Sequence, residues 1–299
     1  MSENLSYFGI MSAIEKCLYN EYENDVKNGF VNVNEKYDEN GYSVVYLVTS
    51  SKRLDMEKKY KWFKLLKSLN ADFNQKIIND LSPLGLAVSR SDTDLIKALV
   101  EMGADIHEKD NATGTSLLFH TKDEKTIKCL VEFGLDLNLK NKNGMTPIEN
   151  AIRSRNKEAI KCLIDLGAII DGIDENSNAI VTMAVGDIEI IKYLTDLGID
   201  VDLKDKTEET AMHKAAALGD INSINCLVSL GADINTRNDQ GFSPIFYSAM
   251  NGHVESMQCM KSHGADINTK SNDGQSIITF FGDNIKPEVL KWLNDNGVN

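Results

Sequence analysis

The chain has 299 residues, is 42% hydrophobic and only 7% aromatic, and carries a formal net charge of −13. Nucleic acid is disfavoured as a partner, because binding it requires Lys and Arg to neutralise phosphates. Residues 1–4 show no start of a secretory signal, and no uncharged apolar run approaches the roughly 18 residues of a membrane span. We therefore expect a cytoplasmic protein, or one delivered to a host cell without a classical signal, with no membrane partner.

One glycine recurs at a nearly fixed interval along the chain. Intervals of 31 or 33 residues separate Gly103, Gly134, Gly167, Gly198, Gly231, Gly264 and Gly297. Asn70 lies 33 residues before Gly103 and takes the same place. A period of about 33 residues indicates stacked supersecondary units, each in contact with its neighbours. The pattern predicts a solenoid, although length alone would suggest about two globular domains.

In chain order, residues 1–39 predict a ragged N-terminal cap. The pair Asn28-Gly29, followed by alternating polar and apolar residues 31–34, is typical of the end of a degenerate repeat. Residues 40–271 then contain the regular repeats, and residues 272–299 form a C-terminal capping repeat. The sequence thus predicts a single repeat domain over 1–299, with about eight units besides the N-terminal cap.

A polar residue precedes the first predicted helix of every unit, where its side chain can accept a hydrogen bond from a free backbone N–H. These residues are Ser43, Ser82, Ser116, Thr146, Asn178, Thr210, Ser243 and Ser276. Pro83, Pro147 and Pro244 follow directly, at a helical position that needs no N–H donor. The pattern predicts where eight helices begin.

The second helix of each unit is predicted from apolar residues at helical spacing, such as Ile221, Ile224 and Leu227. Gly231 ends that helix, because glycine tolerates positive φ. The following Asp-Ile-Asn predicts a short extended arm, and residues 238–241 predict the turn that closes a β-hairpin finger.

Three units depart from the regular length. The first contains six extra residues within a basic stretch, predicted to lie on one helix as a solvated face: Lys52, Arg53, Lys58, Lys59, Lys61, Lys64 and Lys67. The third unit, from Ser116 to Gly134, lacks three residues and predicts a short first helix. The fifth, from Asn178 to Gly198, lacks one. We expect bends or a shallow notch on the first-helix side of units three and five.

Residues capable of chemistry fall mostly on repeat positions. Cys129, Cys162, Cys226 and Cys259 each lie five residues before a marker glycine. We interpret them as small buried residues, because equivalent positions in stacked helices lie too far apart for disulfides and do not surround one point as zinc ligands would. Cys259 and His263 alone are weak evidence for a metal. No catalytic or nucleotide-binding motif stands in a usable context, so we expect no enzyme activity and no cofactor.

Several segments resemble the ankyrin repeat. Thr210-Ala211-Met212-His213 is similar to the T-P-L-H of that family, residues 252–253 match its G-H, and Gly-Ala-Asp-Ile-Asn occurs at 231–235 and 264–268. The resemblance implies an all-α repeat solenoid of helix-turn-helix units with short β-hairpin fingers, in a curved stack. The histidine of the first helix survives only at His213. Its replacements elsewhere are Tyr46, Gly85, Phe119, Glu149, Val181, Phe246 and Thr279.

The resemblance also implies a non-catalytic module that binds a partner protein on the concave surface formed by hairpin tips and first helices, and the net charge of −13 favours a basic partner. The positions carried over are Lys142, Met145, Arg153, Ser154, Lys206, Glu209, Leu218, Asp239, Phe242, Met250 and Asn251. Leu218, Phe242 and Met250 are predicted to be exposed apolar anchors. The protein would be a monomer when unbound and act as an inhibitor, an immunity-type antagonist or an effector. The alternatives are a scaffold, a regulatory subunit, or a protein that binds a nucleotide or metabolite.

Overall fold

The computed structural model describes residues 32–36, 40–77, 79–170, 172–173 and 179–298. The predicted degenerate repeat before residue 32 and the predicted cap Asn178 lie outside the described residues. Over the described ranges the chain contains 15 α-helices and two 3-10 helices, and its β structure is limited to isolated bridges. The predicted all-α repeat architecture is confirmed. The count of eight repeats and the single domain remain predictions.

The chain divides into two compact units. The first comprises the described residues up to Pro147 together with residues 158–168, and the second comprises residues 148–157 and the described residues from 169 onward. Helices of the first unit are α1 (Val44–Ser50), α2 (Met56–Ser68), α3 (Pro83–Ser89), α4 (Thr93–Met102), a 3-10 helix (Leu117–Phe119), α5 (Glu124–Glu132) and, except for its first residue, α7 (Lys157–Asp165).

The second unit continues the same alternation of first and second helices. It contains, except for its first residue, α6 (Pro147–Arg153), then α8 (Ile180–Ala184), α9 (Ile188–Asp196), α10 (Ala211–Leu218), α11 (Ile221–Ser229), α12 (Pro244–Asn251), α13 (Val254–Ser262), α14 (Ile277–Phe281), a 3-10 helix (Gly282–Asn284) and α15 (Pro287–Asp295). Within the units, neighbouring first helices pack on one another, as α10 does on α12, and so do neighbouring second helices, such as α11 and α13.

Three of the predicted caps make the expected hydrogen bond, whereas Ser116 and Ser243 precede their helices without a side-chain cap hydrogen bond. Ser82 Oγ accepts a hydrogen bond from Gly85 N at 2.8 Å, and Ser43 and Ser276 accept in the same way. The second helices have caps that the sequence pattern did not single out. An aspartate accepts from a first-turn N–H at Asp55, Asp92, Asp123, Asp187 and Asp220.

The repeats of irregular length have irregular helices, as their lengths predicted. The first helix of the third repeat is reduced to the 3-10 turn Leu117–Phe119. The first helix of the fifth repeat is α8, which has five residues. The six extra residues of the first repeat lengthen both the connection before α2 and α2 itself, which has 13 residues. Trp62 and Phe63 on α2 are buried at regular core positions, 33 residues before the buried Leu95 and Ile96.

The predicted extended arm after each second helix is wrong. Asp233 and its equivalents instead turn the chain, because the carboxylate accepts a hydrogen bond from the N–H two residues later, as from Asn235 N at 2.8 Å. The side chain two residues after that aspartate then reaches the following repeat. Asn235 Oδ1 accepts from Asp266 N at 2.8 Å, and Asn74 Oδ1 accepts from Asp105 N at 2.7 Å. We call this series of contacts the turn ladder.

The cysteines occupy the packed side of the second helices, as predicted. Cys129, Cys162 and Cys226 are buried, and Cys259 is half-buried. Burial raises the pKa of all four thiols. They are therefore protonated near neutral pH and contribute as small apolar groups.

Gly231 ends α11 with a φ of +89°, and an alanine Cβ there would meet no atom within 4 Å. Gly231→Ala is expected to lower the free energy of unfolding by about 1 kcal/mol, because only the left-handed backbone resists it. Gly231→Asn should cost less, since Asn70 adopts a φ of +56° at the equivalent position. Urea denaturation measures both, with Lys214→Ala on exposed α10 surface as control. An alanine variant as stable as the control would contradict this account.

Candidate functional site

The structure exposes most of the residues predicted to bind a partner. The exposed ones are Lys142, Arg153, Ser154, Lys206, Leu218, Asp239, Met250 and Asn251. Met145 and Glu209 are half-buried, and Phe242 is buried. Lys142 and Met145 belong to the first unit and the other nine to the second.

Lys142 and Met145 lie on a hairpin turn of the first unit. Lys142 Nζ donates to Asn111 O at 2.6 Å, which ties this turn to the one before it. Met145 N donates to Asn141 Oδ1 at 2.9 Å within the same turn. The side chain of Lys142 is therefore held at the neighbouring turn, and the backbone of Met145 is held within its own turn.

Arg153 and Ser154 lie at the end of α6 in the second unit. Ser154 Oγ donates to Asn150 O at 2.8 Å, so its hydroxyl is engaged within its own segment. The exposed guanidinium of Arg153 is left as the polar group that this end of α6 presents to solvent.

Two apolar side chains stand exposed on neighbouring first helices of the second unit. Leu218, the last residue of α10, is 54% exposed, and Met250, near the end of α12, is 40% exposed. Lys206 and Asp239 are exposed on the hairpin turns that precede α10 and α12. Asn251 donates from Nδ2 to Tyr247 O at 2.9 Å, which orients its amide beside Met250. We call Leu218 and Met250 the apolar pair.

Phe242 is not the exposed anchor that the sequence predicted. Its side chain is only 7% exposed, because its ring packs against Phe246 and Phe280, each with ring centroids 4.9 Å from its own. Its carbonyl accepts from His213 Nε2 at 3.0 Å. The residue before the cap of α12 therefore belongs to the core.

Glu209 has a partner that the sequence did not reveal. Tyr247, on α12, donates its hydroxyl hydrogen to Glu209 Oε1 and accepts from Asn238 Nδ2 at 3.0 Å. Burial, together with the carboxylate of Glu209, raises the pKa of Tyr247. This pair joins residues 38 positions apart, so no local pattern could have predicted it.

A cavity of about 140 Å³ opens in the first unit beside the shortened third repeat. Its walls come from the turn before α3, from α3 itself, and from the segment that ends in the 3-10 helix Leu117–Phe119. The notch predicted near the third repeat is present, and it lies between the second and third repeats. Gly85 occupies the place of the usual histidine and forms part of the wall.

Six ionisable side chains line this cavity: Lys76, Asp80, Glu108, Lys109, Asp110 and His120. Glu108 accepts from Ser82 Oγ at 2.5 Å, and burial raises the pKa of its carboxyl group. Lys76 Nζ lies 3.0 Å from Asp80 Oδ2 and also donates to Lys109 O at 2.8 Å. His120 lies within hydrogen-bonding distance of Thr115 Oγ1, and burial lowers its pKa.

The basic stretch of the first unit is only partly helical. Five of its seven cations lie on α2, whereas Lys52 and Arg53 precede it. Lys59 is buried and donates from Nζ to Thr49 O at 3.0 Å, and Lys67 donates to Glu101 O. Lys61 pairs with Glu57 at 2.9 Å. The other six cations are exposed, as the predicted solvated face requires, whereas the burial of Lys59 contradicts that prediction.

The described ranges lack two further features. No group of three or more His, Cys, Asp or Glu side chains is placed there to hold a metal ion. No helix in the same ranges is long and apolar enough to cross a bilayer.

Repeated helix pairs, polar caps and hairpin turns together define a helical repeat protein. A model of the family "Ankyrin repeats (3 copies)" matches residues 117–205 and 181–271, and the model "Ankyrin repeat" matches residues 79–111. The chain belongs to the ankyrin-repeat family. Ankyrin repeats generally mediate protein–protein interactions, and their domains are typically not catalytic.

The fold also has a counterpart among solved structures. The human ASB11 ankyrin repeat domain is similar to this chain, with a TM-score of 0.60 and 21% sequence identity, over 71% of this chain and 97% of that domain. At this identity the likeness concerns the fold alone. No curated protein sequence matches the chain.

Proposed function

We propose that this chain is a non-catalytic module that binds a partner protein through its hairpin tips and first helices, as an inhibitor, an immunity-type antagonist or an effector. The apolar pair carries this proposal, because Leu218 and Met250 are large, exposed and presented by two helices that pack together. Interfaces commonly combine such apolar centres with a polar rim, which Lys206, Asp239 and Asn251 would supply here.

The net charge of −13 favours a basic partner, since opposite charge accelerates encounter. The proposed protein acts as a monomer in the cytoplasm, or in a host cell that receives it. It binds neither nucleic acid nor membrane and uses no cofactor. A scaffold or a regulatory subunit would use the same surface.

The double variant Leu218→Asp, Met250→Asp tests the site. Its partners should be lost from a quantitative pulldown, at least tenfold relative to the wild type, because two charges would be buried in an apolar contact. The stability of the variant should be nearly unchanged, since both side chains are exposed.

The matched control is Asn222→Asp, Asn294→Asp, which adds the same charge on exposed positions of the second helices α11 and α15. This control should recover the same partners as the wild type. Equal recovery by the Leu218, Met250 variant would contradict the assigned surface.

Binding of a small ligand is a second candidate function, and the cavity of the first unit is the observation that favours it. A thermal-shift screen against nucleotides and metabolites distinguishes this candidate from protein binding. No shift at high ligand concentration would argue against it.

A further inference from the structure

The cavity beside the third repeat has a chemistry of its own. It measures about 140 Å³, which is room for more than one water molecule, and it is open to solvent on the first-helix side of the first unit. Leu81 and Leu117 provide apolar wall, and Ser82, Glu108 and His120 provide polar atoms. An apolar wall with a few convergent polar groups is the usual composition of a ligand site.

Glu108 is the carboxylate that lacks a cation in this cavity. Its one hydrogen bond among the described residues is accepted from Ser82 Oγ, and Ser82 Oγ in turn accepts from Gly85 N. The neighbouring Lys76 is engaged by Asp80 and by Lys109 O. Burial raises the pKa of Glu108, the hydrogen bond from Ser82 and the charge of Lys76 oppose that rise, and the nearby Asp105 and Asp80 add to it. A cation placed in the cavity would offset both effects.

No charged group among the described residues forms an ion pair with Glu108, although Lys76 lies near enough for its charge to lower the pKa of that carboxyl group. Lys109 also lines the cavity, but its side chain is exposed. Asp110 accepts hydrogen bonds from Thr113 and adds a further negative charge to the lining. Burial lowers the pKa of His120, so that its ring is neutral at pH 7. The lining therefore combines an unpaired acid with an apolar wall.

Gly85 makes the approach to Glu108 possible. An alanine Cβ at this position would lie 3.4 Å from Glu108 Oε1 and 3.1 Å from Leu81 Cδ1. The glycine stands inside α3, where alanine would be the better helix former, so its presence has a cost of about 1 kcal/mol. The absent side chain leaves the wall of the cavity open next to the carboxylate.

We propose that this cavity binds the cationic head of a basic side chain, a guanidinium or an alkylammonium group, with Glu108 as its counter-ion and Leu81 and Leu117 along its stem. The inference deepens the proposed function, because a basic partner protein would supply that side chain. The site itself can be tested with no partner present.

The experiment titrates the full, isotopically labelled chain with N-acetyl-arginine methylamide and follows backbone amide resonances by NMR. We expect saturable shifts centred on Ser82, Gly85 and Glu108. Glu108→Gln should weaken binding about tenfold, which is the loss of one charge-assisted hydrogen bond. Gly85→Ala should weaken it similarly while leaving the fold intact. Glu132→Gln, an exposed acid on α5 outside the cavity, is the matched control and should bind as the wild type does.

The neutral isostere N-acetyl-citrulline methylamide should bind at least tenfold more weakly than the arginine derivative. Equal binding of the two, equal binding by Glu108→Gln, or no saturable shift would overturn the proposal. Free arginine and agmatine distinguish the source of the cation. Tighter binding of the capped derivative supports a side chain within a protein, and tighter binding of the free compounds supports a small molecule.

The same titration is repeated with Leu218→Asp, Met250→Asp, which should bind the probe unchanged. A failure of the cavity therefore remains distinct from a failure of the partner surface. The first appears in the probe titration of the wild type, and the second appears only in the pulldown.

Discussion

Phe242→Ala is expected to lower the free energy of unfolding by about 3–5 kcal/mol. Phe242 is buried, and its removal would leave a void between Phe246 and Phe280, which both contact its ring. Its backbone is engaged as well, because Phe242 N donates to Asn238 Oδ1 at 2.8 Å. Urea denaturation followed by circular dichroism measures the loss.

Met250→Ala is the control for Phe242→Ala, because Met250 comes from the same predicted surface but is 40% exposed. It should cost less than about 1 kcal/mol. Equal stability of the two variants would contradict the placement of Phe242 in the core. If the two variants differ as expected, loss of partner binding by a Phe242 variant would result from unfolding. Loss of binding by a Met250 variant would instead result from the loss of a direct contact with the partner.

His213→Ala is expected to cost about 2–4 kcal/mol, because it leaves two buried backbone groups without partners. Thr210 N donates to His213 Nδ1 at 3.1 Å, so that nitrogen is the acceptor. The proton consequently resides on Nε2, which donates to Phe242 O at 3.0 Å. This one ring joins the start of α10 to the residue before the cap of α12. Thermal and urea unfolding measure the loss.

The same ring predicts a dependence of stability on pH. Burial lowers the pKa of His213 below its ordinary value of 6.5. Below pH 6.5 the unfolded chain therefore binds a proton more readily than the folded one, so the contribution to stability is present above that pH and is lost as pH falls through the folded pKa.

The comparison that isolates His213 is between the wild type and His213→Gln, each unfolded by urea at pH 7 and pH 5. The wild type should lose more stability between these two values than the variant. Carboxylates elsewhere titrate alike in both proteins and cancel in the difference. An identical loss would show that His213 is not held neutral.

The sequence predicted the features that repeat and missed those that depend on one neighbour. The period of about 33 residues located the helices, because each unit must bury the same face. The exposure of Phe242 could not be read from its position, since it depends on Phe246 and Phe280 being aromatic in this chain. Leu218 and Met250, whose surroundings are polar turns, are exposed as predicted.

The candidate cavity shows the same limit. The missing residues of the third repeat indicated a notch, and Gly85 was visible as a departure from the histidine pattern. Glu108 lies 26 positions after Ser82 and 23 positions after Gly85, so no local pattern could predict that it faces Gly85. Spacing alone predicts that a gap exists, and only the structure shows which chemical groups line it.

The turn ladder has a consequence for how such a chain can change. Its acceptors are asparagine at positions 34, 74 and 235 and aspartate at position 202, and all four receive the same kind of backbone N–H. What these positions require is a short side chain that ends in an oxygen, whether or not it is ionised. Within each unit, the charge carried by these turns can therefore change to suit a given binding partner, while the architecture beneath them stays constant.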